Sequence, residues 1–324
     1  MTCKKMLQGS FASGRYTSTV LFVLSMLVIW AAHWLPESPA SFAQPDVPAF
    51  MGGLASRAVS VLFYVLAAVL LSRQTFFDRE VKWKGALYMW LVALSTFING
   101  NPVTALSALL FMVSIILLFF CQYSADPVGP LFTAFLLLGV QSFITPLSLY
   151  FIPLYLLFFS MANVFSARGL AASVLGLATP FWLIMGTAYV FPDVNALMEP
   201  LTNGVSGLFV VALPEFSVLN ILLLAFVLLV LLPGIFTFVG STSPAKPLLR
   251  RRLSFVIVAD IYLLLLSCVI DGAAGLFYVC QLPFVAILAS YLFAKKETKL
   301  SNVYFVLINA VILAIATYPL WLMR

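Results

Sequence analysis

Ionisable residues are sparse in this chain, and two small sets of them have the makings of chemistry. Glu37, Asp46 and Arg57 share a polar stretch behind the first apolar run. A carboxylate can act as general base toward a hydroxyl, and a guanidinium can neutralise a departing phosphate, so the trio holds the parts for group transfer from a phosphate-linked donor. The competing reading is an ordinary solvated loop, which prefers the same residue types. The second set is Asp260, the one acid well inside an apolar run, with Asn309 at a similar depth on the last run as its candidate partner. A carboxylate there costs several kcal/mol unless it is protonated or hydrogen-bonded, so the default reading is functional. A structural acid bonded to Asn309 is the alternative.

Other chemistries find no support. A single histidine, His33, and four scattered cysteines, Cys3, Cys121, Cys268 and Cys280, match no metal or haem spacing, so neither metal nor cofactor is expected. Cys268 and Cys280 lie at depths differing by roughly 9 Å along neighbouring runs, which argues against a disulfide. There is no glycine-rich phosphate loop, no kinase set and no soluble domain for ATP.

The elements that position these residues follow from composition. The chain of 324 residues is 63% apolar and 9% charged, with a mean hydropathy of +1.11. A soluble domain does not look like this. The apolar runs are continuous and lack strand alternation, which predicts an all-α, polytopic transmembrane helical bundle forming a single integral membrane domain. About eleven spans are expected, over 17–34, 58–71, 85–98, 103–122, 131–144, 147–165, 170–190, 218–239, 253–270, 273–293 and 303–320. Their organising centre is expected at Pro146 to Phe191, two long runs hinged on Ser166-Ala167-Arg168-Gly169.

Lys and Arg are retained on the cytoplasmic side during insertion. Arg168, the basic loop of Lys246 and Arg250 to Arg252, and Lys295, Lys296 and Lys299 therefore face inward, with the N-terminus cytoplasmic and the C-terminus outside. This arrangement leaves 15 of the 17 basic residues inside, with Arg57 and Arg324 out, so the pI of 9.2 reflects topology and not nucleic-acid binding. The outer loop 35–57 carries four prolines and is expected to be extended. The segment 192–217 reads as interfacial, and its apolar part 205–213 as too short to cross. Ser41-Phe42-Ala43 lies too far beyond the first run for signal cleavage. Ala172 and Gly176, with Thr179-Pro180 behind them, have the small-residue spacing of close helix packing. His33, Trp34 and Trp321 read as interfacial belt residues.

The runs Ser148-Leu149-Tyr150-Phe151-Ile152-Pro153, Arg168-Gly169-Leu170 and Gly176-Leu177-Ala178-Thr179-Pro180-Phe181 resemble an uncharacterised family of bacterial multispanning inner-membrane proteins. That resemblance covers the middle third of the chain and implies the inner membrane as compartment. The chain is also similar to the multispanning glycosyltransferases that use polyprenyl-phosphate sugars, which place an acid in the first outer loop, where Glu37 and Asp46 stand. A paired acidic motif and a C-terminal soluble domain are missing. The leading expectation is thus action on a lipid-linked envelope substrate at the outer leaflet, with membrane lipids and a polyprenyl-phosphate-linked substrate as partners. A proton-coupled transporter or flippase centred on Asp260 and a non-catalytic assembly partner of other membrane proteins are the alternatives.

Overall fold

A computed structural model describes residues 17–31, 53–74, 83–94, 101–122, 124, 126–162, 165–190, 218–239, 247–270, 274–295, 302–311 and 314. Every regular element among them is helical. In chain order these are α1 Thr17–Ala31, α2 Gly53–Arg73, α3 Lys84–Leu94, α4 Pro102–Cys121, α5 Val128–Ile144, a 3-10 helix Pro146–Phe151, α6 Ile152–Ala162, α7 Ala167–Val190, α8 Val218–Val239, α9 Pro247–Val269, α10 Ala274–Lys295 and α11 Asn302–Val311. Five of them, α2, α4, α7, α9 and α10, are long and apolar enough to cross a membrane. The all-helical membrane bundle stands on these.

Local signals set the helix starts. Asn101 caps α4, its Oδ1 accepting from the backbone of Val103 at 2.9 Å and Thr104 at 3.4 Å, while Pro102 occupies the first turn, where its missing N–H costs nothing. Ser166 Oγ accepts from Gly169 N at 3.0 Å and opens α7, so the expected hinge is a helix cap with Arg168 already inside the helix. Two further expectations are corrected here. Arg57 lies in the first turns of α2 and not in a loop, and Arg250 to Arg252 lie in the first turns of α9. Helices extend beyond their apolar stretch because long basic side chains such as the exposed Arg250 and Arg251 can lay their stems on the bundle and keep the head group outside, while Arg252 is buried whole.

The span expected at 147–165 is interrupted. Pro146 cannot continue α5, and Pro153 is comfortable only in a first turn, so the chain makes a 3-10 segment before α6 begins at Ile152.

The centre of the bundle is α10, not the 146–191 region. Every residue from Ala274 to Leu292 is buried, and the helix touches α3, α4, α8 and α9. By contrast α7 is peripheral, with Trp182, Leu183, Met185 and Tyr189 exposed, as a lipid-facing helix should be. It is seated on α5, where Ala172 and Gly176 are buried at the contact as their spacing predicts. Aromatic rings tie the core together: Phe111 of α4 meets Phe151 at 4.5 Å and Phe284 at 5.9 Å, and Phe255 of α9 meets Phe158 at 5.1 Å and Phe119 at 5.7 Å. In lipid this packing, more than apolar transfer, drives helix association.

Two basic residues near helix starts reach across to the ends of neighbouring helices. Lys84 at the start of α3 donates to the Gln74 carbonyl just past Arg73 at 2.7 Å, and Arg252 near the start of α9 joins Gln122 just past α4.

Candidate functional site

Asp260 lies 13 residues into α9, about 20 Å from its start at 1.5 Å per residue, so it is deeper than a helix starting at Leu253 implies. It is fully buried. Two clamps hold α9 on either side of it. Toward the basic end, Arg252, only 1% exposed, donates from Nε to Gln122 Oε1 at 2.7 Å. Toward the other end, Tyr262 donates its hydroxyl to the Tyr150 carbonyl of the 3-10 segment at 2.7 Å. Because α9 is fixed to α4 and to the 3-10 helix, its buried face, and with it Asp260, is held toward α10.

On α10 the facing polar residue is Gln281, also fully buried. Its Nε2 donates to the Asp260 backbone carbonyl at 3.1 Å. Gln281 Oε1 and both Asp260 carboxylate oxygens have no hydrogen-bond partner among the described residues. An acid and a carboxamide thus face each other in apolar surroundings with bonding capacity left over: a carboxyl hydrogen would find an acceptor in Gln281 Oε1. Asn309, the partner expected from depth, donates from Nδ2 to the Phe305 carbonyl on its own helix at 2.8 Å.

Other polar side chains are buried elsewhere in the bundle. The Tyr64 and Tyr88 side chains, from α2 and α3, lie wholly inside the bundle. Neither hydroxyl has a hydrogen-bond partner among the described residues. Tyr155 of α6 is hydrogen-bonded to Ser114 of α4. The thiols of Cys121, Cys268 and Cys280 are free. No group of three metal-ligating side chains occurs among the described residues.

Glu37 and Asp46 lie outside the described residues, as do His33, Trp34, Trp321 and the segment 192–217. Arg57 is half-buried near the start of α2. At the other end of that helix, roughly 20 Å away at 1.5 Å per residue, a small gap of about 20 Å³ lies between α2, α4 and α10, lined by Leu71, Gln74, Phe111, Ile115, Phe284 and Ile287. Arg57 and this gap therefore do not form one site. Sequence reasoning misses Gln281, although a carboxamide within an apolar run is itself a signal, and it misses the Arg252–Gln122 clamp because a run of arginines reads as loop.

That clamp makes a testable stability element. Arg252→Met keeps the stem but leaves Gln122 Oε1 without its charged donor, and should lower unfolding stability in detergent by about 1.5–3 kcal/mol. Arg252→Lys should recover only part of this, because an ammonium lacks the guanidinium fork. A Met variant melting with the wild type would mean the clamp does not hold α9.

Compared with known protein families, with curated proteins and with solved structures, the chain matches none, so its site rests on its own geometry.

Proposed function

We propose that this protein is a proton-coupled membrane transporter in which Asp260 carries the proton. One observation carries this reading: an acid at the middle of a helix, fully buried, with both carboxylate oxygens unpartnered among the described residues and a carboxamide opposite. Acids held inside a membrane bundle are rare and mark proton relays and ion pathways by default. The buried hydroxyls of Tyr64 and Tyr88 are further groups in the core that can donate and accept. Purified protein in vesicles loaded with a pH-sensitive dye tests the reading. Outside addition of one solute from a panel of amino acids, sugars, organic acids and cationic drugs should drive protons inward at a rate above protein-free vesicles. A panel without any such response sinks it.

The second reading is sugar transfer from a polyprenyl-phosphate donor at the outer leaflet. It is favoured by Arg57, a cation near the N-terminal end of a helix, where the dipole also attracts a departing phosphate. Glu37 or Asp46 would then act as base. Profiling of lipid-linked glycans in a deletion strain complemented with wild type, Glu37→Gln, Asp46→Asn or Arg57→Ala separates the readings. If every envelope glycan is unaltered by the deletion, the enzyme falls. A non-catalytic assembly partner would instead co-purify with a membrane complex and tolerate each of these substitutions.

The orientation proposed with either reading places the protein in a bacterial inner membrane with its basic ends cytoplasmic. Reporter fusions after Arg168, Lys246 and Lys299 should report cytoplasm, and fusions after Pro102, Glu199 and Arg324 the opposite side. A cytoplasmic signal at Arg324 would break the alternation of eleven spans.

A further inference from the structure

Away from Asp260, where α5 breaks into the 3-10 helix, three buried hydroxyls form a ladder. Ser107 Oγ of α4 lies 3.2 Å from Thr145 Oγ1, which lies 2.6 Å from Ser148 Oγ. All three residues are 5% exposed or less. One turn back on α5, Gln141 is fully buried, and neither end of its carboxamide has a hydrogen-bond partner among the described residues. One turn from Ser107 toward the start of α4, the buried Thr104 hydroxyl is likewise unpartnered. Such orphans are costly in lipid, where no solvent compensates them.

The backbone adds a charge preference. The carboxyl end of α5 points into this cluster, and Pro146 has no N–H to offer the Ser142 carbonyl four residues before it. The negative end of a helix dipole, with carbonyls that lack intrahelical donors, favours a positive ligand. Interrupted membrane helices commonly use such ends to coordinate a small cation. Spacings of 2.6 and 3.2 Å between the hydroxyl oxygens leave no room for a sugar-sized group among them. A bare ion is small enough to be reached by these oxygens once their mutual hydrogen bonds give way and the hydroxyl hydrogens turn outward. Divalent ions are disfavoured, because calcium and magnesium sites draw on carboxylates and no residue of the cluster carries one.

We propose that this cluster binds one dehydrated monovalent cation, sodium, through Ser107 Oγ, Thr145 Oγ1, Ser148 Oγ and Gln141 Oε1. Binding stands on the cluster's own geometry; its use as a driving ion alongside Asp260 rests on the transport reading.

Equilibrium binding of radioactive sodium to the purified full chain, at constant ionic strength in choline chloride, tests the site. Wild type should bind saturably with one ion per chain, and potassium should compete at least tenfold more weakly than unlabelled sodium. Thr145→Val, which keeps shape and removes the oxygen, should weaken binding more than tenfold, and Thr145→Ser should retain it. If Thr145→Val no longer elutes as a monodisperse species, Ser107→Ala takes its place with the same expectation. No saturable sodium over choline in wild type overturns the proposal, and so does wild-type binding in both Thr145→Val and Ser107→Ala. Sodium binding in a protein that moves no protons with any solute would keep the site and reject the transport reading.

Discussion

Asp260→Asn should bring solute-driven proton entry down to the level of protein-free vesicles while the variant still inserts and elutes as the wild type does. The substitution keeps the volume and the hydrogen-bonding outline of the side chain and removes only its ability to exchange a proton. Asp260 faces Gln281 in the interior, and its carboxyl oxygens have no other described partner. An asparagine there can pair with the Gln281 carboxamide, donor to acceptor, so the desolvation cost that attaches to a charge disappears. Thermal stability should accordingly hold or rise. A residue retained for structure predicts the reverse, a loss of stability with no specific loss of flux. Asp260→Glu adds a second arm: it can still titrate but is one methylene longer against the close-packed α10, so slowed and not abolished flux is expected. Proton entry in Asp260→Asn equal to wild type would remove Asp260 from the mechanism. Unchanged flux together with unchanged stability would remove the structural alternative as well.

Particular residues show which parts of this arrangement can be read from a sequence. Continuous apolar runs and clustered Lys and Arg place helices well, and each described helix falls on an expected run. Boundaries fail where charge is equated with loop, as at Arg57 and Arg252, since both sit in the opening turns of helices. The break at Pro146 is partly legible: two prolines seven residues apart cannot both sit inside one undisturbed helix, but only the structure shows that the first half becomes 3-10. The identity of the central helix is hidden for a physical reason. A lipid-facing surface and a protein-facing surface are equally apolar in a bilayer, so α7 and α10 look alike to hydropathy while one is peripheral and the other wholly buried. Depth could likewise suggest Asn309 for Asp260 but could not choose the neighbouring helix. What marks α10 is the small set of polar groups it carries inside an apolar run, Cys280, Gln281 and Ser290, all buried.

Gly176→Ala should disrupt the bundle out of proportion to the single methyl it adds. In α7 this glycine faces α5 so closely that a Cβ would be driven onto the Phe132 carbonyl oxygen, with the Leu136 nitrogen 3.2 Å away. Both obstacles are backbone, so no side-chain rotation relieves them and the two helices must separate. The contact is reciprocal one turn along: a Cβ on Gly139 of α5 would approach the Leu177 carbonyl at 2.8 Å and the Pro180 ring at 2.9 Å. Pro180 itself is buried there, its ring occupying the space that Gly139 leaves empty. Separating α5 from α7 gives up dispersion along the whole interface, the main force holding helices together in lipid. Overpacking of this kind costs roughly 1–3 kcal/mol even where side chains can yield, and the upper end or beyond is expected against backbone. Gly186, on the same helix with nothing within 4 Å of the position an added methyl would take, supplies the control. There, alanine should be neutral or stabilising by up to about 1 kcal/mol, since it lowers the entropy cost of a helical glycine. Thermal unfolding of the two variants in detergent decides the matter: comparable midpoints for Gly176→Ala and Gly186→Ala would show that α7 is not seated on α5 through its small residues.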